Sequence, residues 1–261
     1  MKTAFHFQKG AIMRTLNIDI ETFSSVDITK SGSYKYAMSA DFKILLFAYS
    51  IDGYDVKIVD LAQGETVPGE VLVLLKDKDC IKYAYNAVFE WWCLNMAGIE
   101  TPLEQWHCTM VHGLYCGYTA GLAAIGNAMG LPQDKKKLTT GSALIRYFCI
   151  PCNPTKSNGN RTRNLPQHAP EKWGLFKEYC IQDVVTEMEI GRRLSAFPVP
   201  EREWKLWVLD TFMNAYGVRV DSELVNGALY IDALSRANLL EEARDITKLD
   251  NPNSTSQLLT W

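Results

Sequence analysis

Regular patterning along the chain sets in at Leu16. In "LNIDIETF", Leu16 to Phe23, the apolar Leu16, Ile18 and Ile20 alternate with the polar Asn17, Asp19 and Glu21, the period of a strand with one face in a core. Two apolar runs follow, "FKILLFAYSID" from Phe42 to Asp52 and "YDVKIVDL" from Tyr54 to Leu61, parted by a turn at Asp52 and Gly53; together they predict an antiparallel hairpin. "CIKYAYNA" predicts a fourth, buried strand. The spacing then turns helical from Asn86, a candidate N-cap, to the stop at Gly98, and again over Thr109 to Cys116, Leu122 to Met129 and Leu138 to Phe148.

Pro151 to Pro170 has four prolines and no period, so a long loop is expected there, of the kind that is usually functional or mobile. A long helix runs from Glu171 to about Phe197. "FPVP" interrupts the pattern, which places a domain boundary at 198–200, and two amphipathic helices follow, one ending at Gly217 and one from about Asp221 to Thr247. Strands first and helices interleaved later predict an α/β domain with a mixed sheet over 14–197, then an all-helical segment over 198–261. Residues 1–13 show neither periodicity nor turn logic and read as an N-terminal extension, so a chain starting at Met13 is expected to match the full chain in stability and activity.

Composition narrows this picture. The chain has 261 residues, 47% of them hydrophobic, enough for a large core, and its net charge of −3 gives no global attraction for polyanions. The charge is uneven. Lys135, Lys136, Lys137, Arg146, Lys156, Arg161 and Arg163 against Asp134 give the segment from Gln133 to Arg163 a charge of +6, leaving −9 elsewhere. Such a segment suits a polyanion along one edge, or simply a solvated face. The seven cysteines sit in apolar contexts and read as buried thiols of a reducing, cytoplasmic compartment. Cys149 and Cys152 form a CxxC without a second pair at zinc-finger spacing. No apolar run approaches the ~18 residues of a membrane span, and the N-terminus lacks the apolar stretch of a signal peptide.

Candidate chemistry starts on the first strand. Asp19 and Glu21 share a face roughly 6–7 Å apart, and their repulsion raises one pKa unless a cation or donor lies between them. Glu90 falls in the first turn of the helix after Asn86, and Tyr179 and Asp183 stand at i and i+4 on the long helix, a phenol beside a carboxylate. Singly, each has an ordinary explanation as a cap, a dipole partner or a surface pair.

The order Asp-x-Glu, then Asn-x-x-Phe-acid, then Tyr-x-x-x-Asp resembles the three motifs of the tyrosine-bearing branch of DEDD exonucleases, and "DIETFSSVD", "YNAVFEWWCL" and "FKEYCIQDV" are most similar to the 3′-to-5′ proofreading domain of phage-type family A DNA polymerases. The tail, with "DTFMNAYGVRVDSELV" and "NPNSTSQLLTW", is similar to the passage from exonuclease to thumb. The resemblance implies an RNase H-like fold and two divalent ions, Mg²⁺ or Mn²⁺, held by Asp19, Glu21, Asp183 and, through water, Glu90. Tyr179 would orient the attacking water, and the substrate would be the 3′ end of single-stranded DNA in a bacterial host. Candidate nucleic-acid contacts are Phe23, Asn86 and Phe89, with Lys156, Arg161 and Arg163 on phosphates. One departure is Glu90, where the family usually has Asp. It motivates a competing reading as a non-catalytic, DNA-binding scaffold; an RNA-trimming enzyme of the RNase D kind shares the motifs. The polymerase motifs themselves are absent, so a polymerase domain is an expected partner.

Overall fold

The computed structural model describes residues 13–119, 121–136, 138 and 140–261. The N-terminal extension except Met13, and Lys137 of the basic segment, lie outside them. The sheet has five strands: β1 (Arg14–Phe23), β2 (Lys43–Ile51), β3 (Lys57–Asp60), β4 (Cys80–Ala84) and β5 (Trp106–Cys108), in the order β3-β2-β1-β4-β5. β1 pairs antiparallel with β2, as β2 does with β3, whereas β4 runs parallel to β1 and β5 parallel to β4. This is the mixed, hairpin-first sheet of an RNase H-like fold. β1 is its central strand.

The alternation on β1 is realised. Leu16, Ile18 and Ile20 are buried in one core with Phe47, with Val71, Leu74 and Leu75 of α2 (Gly69–Lys76), and with Cys93 and Leu94 of α3 (Ala87–Met96). Each such aliphatic side chain contributes roughly 1.5–3 kcal/mol through its removal from water. The opposite face packs Phe23, Leu46 and Ala48 against α6 (Gly141–Phe148) and α7 (Pro170–Leu194), so the sheet lies between two helical layers. The β1–β2 register shifts between Glu21 and Thr22, where Leu45 is the extra residue of a bulge directly beside the acidic pair.

The hairpin turns at Asp52 and Gly53, whose φ values of 52° and 77° are the positive pair that a tight primed turn needs. β3 starts only at Lys57, because Ser50 Oγ donates to the Tyr54 carbonyl at 2.5 Å and keeps Tyr54 out of the ladder. Helix α1 (Ile28–Ala37) was not legible: Gly32, at φ 75°, breaks it in mid-course and blurs its periodicity. On α7, buried positions recur at 173, 176, 180 and 184 and at 179, 183, 187, 190 and 194, two adjacent rows of one helix face. α4 (Thr109–Tyr115) and α5 (Leu122–Ala128) complete the layer, with Leu122 and Ile125 against Ile190 and Leu194.

Two expectations change. The Pro151 to Pro170 segment is tied down rather than loose: Cys152 N donates to the Thr162 carbonyl at 2.8 Å, Thr155 and Asn158 form a reciprocal cap, and Asn164 Nδ2 donates to the Tyr147 carbonyl at 3.0 Å. Its polar residues satisfy its own backbone, which is why composition alone suggested mobility. The chain also divides between Ala215 and Tyr216, downstream of the expected break at 198–200. Helix α8 (Glu201–Tyr216) brings Trp204 onto His107 of β5, rings stacked at 4.5 Å and 6°, and so joins the first unit. The second unit carries α9 (Ser222–Thr247), capped by Asp221 accepting from Glu223 N and Leu224 N, and α10 (Thr255–Thr260). Among the described residues, no helix is long and apolar enough to cross a membrane.

Candidate active site

Strand β1 presents Asn17, Asp19 and Glu21 toward α7; Glu21 is buried and Asp19 half-buried. Among the described residues, the group of potential ligand atoms that closes within 4.8 Å is Asp19, Glu21 and Cys180. Cys180 was not anticipated. Its thiol lies 3.5 Å from Asp19 Oδ2 and donates toward it, and Cys149, half of the CxxC, lies 3.9 Å from Glu21 Oε2. Cys152 turns away to the Arg161 carbonyl at 3.4 Å, so the CxxC is not a joint metal site. Burial, with the neighbouring carboxylates, pushes both thiols at the acidic pair well above their ordinary pKa. They remain neutral donors.

Asp183 and Glu90 stand outside that triplet but belong to the same electrostatic cluster. Tyr179 is 2% exposed; burial first, then the charges of Asp183, Glu21 and Asp19, push its phenol strongly upward, and it donates to Asp183. It therefore stays protonated and cannot act as a base at neutral pH. Its ring stacks on Phe176, centroids 6.2 Å apart, and covers Gly141 at the start of α6. Asn86 is the N-cap of α3, as expected; it takes a left-handed conformation, φ 74°, and makes no side-chain cap bond. That sharp entry sends Glu90 inward.

Glu90 is 3% exposed, and its Oε2 has no hydrogen-bond partner. Burial first, then the Asp19 charge, raises it well above the usual carboxylate range. A group so raised contributes stability that is present below its unfolded pKa and lost as the pH rises through the folded value. In metal-free protein at neutral pH, Glu90→Gln is thus expected to raise the melting temperature, by about 2–4 °C per kcal/mol relieved, while lowering any metal-dependent rate; Glu90→Asp keeps or raises that rate. Thermal melts with and without chelator check this, and three equal rates would remove Glu90 from the site.

The nucleic-acid candidates separate. Phe23 is 4% exposed and carries the Arg163 guanidinium 3.8 Å from its ring centroid, so it is covered rather than open to bases. Phe89 is half-buried against Tyr36, and Asn86 is exposed. Arg161 is spent within its loop, on Asn164 Oδ1 at 2.8 Å and the Asn158 carbonyl at 2.9 Å, whereas Lys156 is exposed. A cavity of about 1140 Å³ opens beside Asn17, Tyr83, His107, Thr109, Glu187 and Trp204 and is lined by none of the five acidic-motif residues.

Over 250 residues, 95% of its length, the chain is 52% identical to a DNA polymerase of Bacillus phage SP02. It is a relative of a phage DNA polymerase. The chain spans 38% of that relative's length. No family model matches it. Among solved structures it is similar to Brucella melitensis NrnC, solved also with bound Mg²⁺, at 16% identity and a TM-score of 0.49 over 80% of this chain and 89% of that one. It is similar too to Escherichia coli RNase D, an exoribonuclease, at 17% identity and a TM-score of 0.47 over 76% of this chain and 44% of that one.

Proposed function

We propose that this chain is the 3′-to-5′ exonuclease part of a phage-type DNA polymerase, releasing nucleoside 5′-monophosphates from the 3′ end of single-stranded DNA in the cytoplasm of a bacterial host. The observation that supports the reading is the close pair Asp19 and Glu21 on β1, whose charges reach Glu90 of α3 and Tyr179 of α7 beside Asp183, within a chain 52% identical over 250 residues to a DNA polymerase. Residues 198–261 would then begin the thumb, and the polymerase domain would be the partner.

The donor set fits hard divalent ions. Several carboxylates share a buried volume, and Glu90 Oε2 lacks any donor, so positive charge relieves what the protein itself leaves uncompensated. Asp19, Glu21 and Asp183 would hold one Mg²⁺ or Mn²⁺, and Asp19 with Glu90 a second. When bound, two such ions supply Lewis-acid charge for phosphodiester hydrolysis. The chain's own groups do the rest: Tyr179, locked as a neutral phenol on Asp183, can hold the incoming water by hydrogen bond, and the two thiols fix the carboxylates without competing charge. A terminal nucleotide must leave its stack to enter so closed a site, which favours single strands. Lys156 and Arg163 would contact phosphates.

Matched DNA and RNA oligonucleotides, incubated with Mg²⁺ or with chelator, test the reading. Stepwise loss of 3′ nucleotides from DNA, only with metal, is expected. Metal-independent binding without turnover would establish the scaffold instead, and preference for RNA the trimming enzyme. In chelator, replacing Lys156 and Arg163 by Ala should flatten the slope of log affinity against log salt by about 1.4, two single-strand contacts; an unchanged slope removes both from the DNA path.

A further inference from the structure

Glu187 lies two turns beyond Tyr179 and one beyond Asp183, in the same buried row of α7. It is 2% exposed, yet no part of the exonuclease reading uses it. Asn17 Nδ2 donates to its Oε2 at 2.8 Å, and Thr109 Oγ1 donates to its Oε1. Asn17 precedes Asp19 by two on β1 and faces the same way; Thr109 opens α4 directly after β5. One carboxylate thus joins the strand that carries Asp19 and Glu21, the helix that carries Tyr179 and Asp183, and the edge of the parallel half of the sheet.

The alternatives for so buried an acid are weaker. An ion pair would serve burial best, but the partners are an amide and a hydroxyl, directional donors that fix position rather than neutralise charge. Burial raises Glu187 and the two hydrogen bonds, from Thr109 and Asn17, oppose the shift, so the acid is held by bonds to the two flanking elements. The cavity of about 1140 Å³ reaches Asn17, Thr109 and Glu187, so side-chain packing does not close this junction on that side, and the hydrogen bonds are left to do so.

We propose that Glu187 is a positioning residue: through Asn17 and Thr109 it sets the register of α7 on β1, and so the distance of Asp183 from Asp19 and Glu21. This rests on the reading of those carboxylates as a divalent-ion site. Losing the bolt would leave the fold but spread the carboxylates, and partners that orient ligands from behind commonly change metal affinity 10–100-fold.

Mn²⁺ titration calorimetry on the full chain, with thermal melts, separates the cases. Wild type should bind Mn²⁺ and Asp19→Ala should not; if wild type binds none, the metal-site reading fails, whatever Glu187 does. With binding in place, Asn17→Ala should weaken Mn²⁺ about tenfold and Glu187→Ala, which also releases Thr109, at least as much, and the double variant no more than Glu187→Ala alone, because Asn17 acts through Glu187. Glu187→Gln, whose amide can still accept from Asn17, should restore most of the affinity. Should Glu187→Ala fail to fold, Asn17→Ala on the half-buried side decides alone. Undiminished affinity in a folded Asn17→Ala, or additive losses in the double variant, would overturn the proposal.

Discussion

Asp19→Ala is expected to lower release of the 3′-terminal nucleotide by about 10²- to 10³-fold, since charge stabilisation worth several kcal/mol is lost and each 1.4 kcal/mol is tenfold in rate. The folded state should not suffer. Asp19 sits among Glu21, Glu90 and Asp183, and its removal relieves repulsion that the metal-free chain carries, so the melting temperature in chelator should hold or rise. Asp19 Oδ2 is also the acceptor of the Cys180 thiol, a weak bond whose loss costs little. A variant digesting single-stranded DNA at the wild-type rate would remove β1 from the chemistry. A variant with reduced rate but a collapsed melt would show instead that Asp19 is a structural residue.

Gly141→Ala should cost about 10²-fold in rate while sparing every acidic group. A Cβ at Gly141 would come within 2.0 Å of Tyr179 Cε2, far inside the ~3.5–4.0 Å of a carbon contact. The ring cannot swing away, because it is buried and stacked on Phe176, which in turn stacks on Phe148. Tyr179 must shift, and displacements near 1 Å at a reacting group are costly on this scale. Overpacking adds about 1–3 kcal/mol of instability, several degrees in the melt. Tyr179→Phe separates the effects: it keeps the ring and the melt but loses the hydroxyl, so its rate should fall alone. Adding Gly141→Ala to Tyr179→Phe should then lower the rate little further. A Gly141→Ala enzyme as fast as wild type would mean that the tyrosine's position is not used.

Much of this was legible in the sequence, for definable reasons. Alternation at Leu16, Ile18 and Ile20 fixed the face of Asp19 and Glu21, since a strand of period two leaves no other choice, and the i, i+4 spacing placed Tyr179 beside Asp183. The same logic reaches Asn17, two before Asp19, and Glu187, four after Asp183, although neither stands in a motif. Cys149 and Cys180 escaped because a cysteine in an apolar setting reads as a small hydrophobe, and only the fold shows that each thiol touches a carboxylate. Phe23 looked open to bases because nothing local shows that Arg163, from a distant loop, covers it. Helix α2, "GEVLVLLK", is short and its middle, Val71 to Leu75, is an unbroken apolar run, a pattern in which helix and buried strand cannot be told apart.

The centrality of β1 also bears on how the molecule forms. Its antiparallel partner β2, with β3 paired beyond it, follows within the next few tens of residues, so that half of the sheet is built from local contacts. Asp19 meets Cys180 across 161 residues and Asn17 meets Glu187 across 170. Loops of that length close slowly, after local pairing, and proteins of this size commonly pass through populated intermediates. In refolding, strand signal from the hairpin should therefore appear before any capacity to bind Mn²⁺, with an interval during which a sheet exists and its carboxylates are still apart.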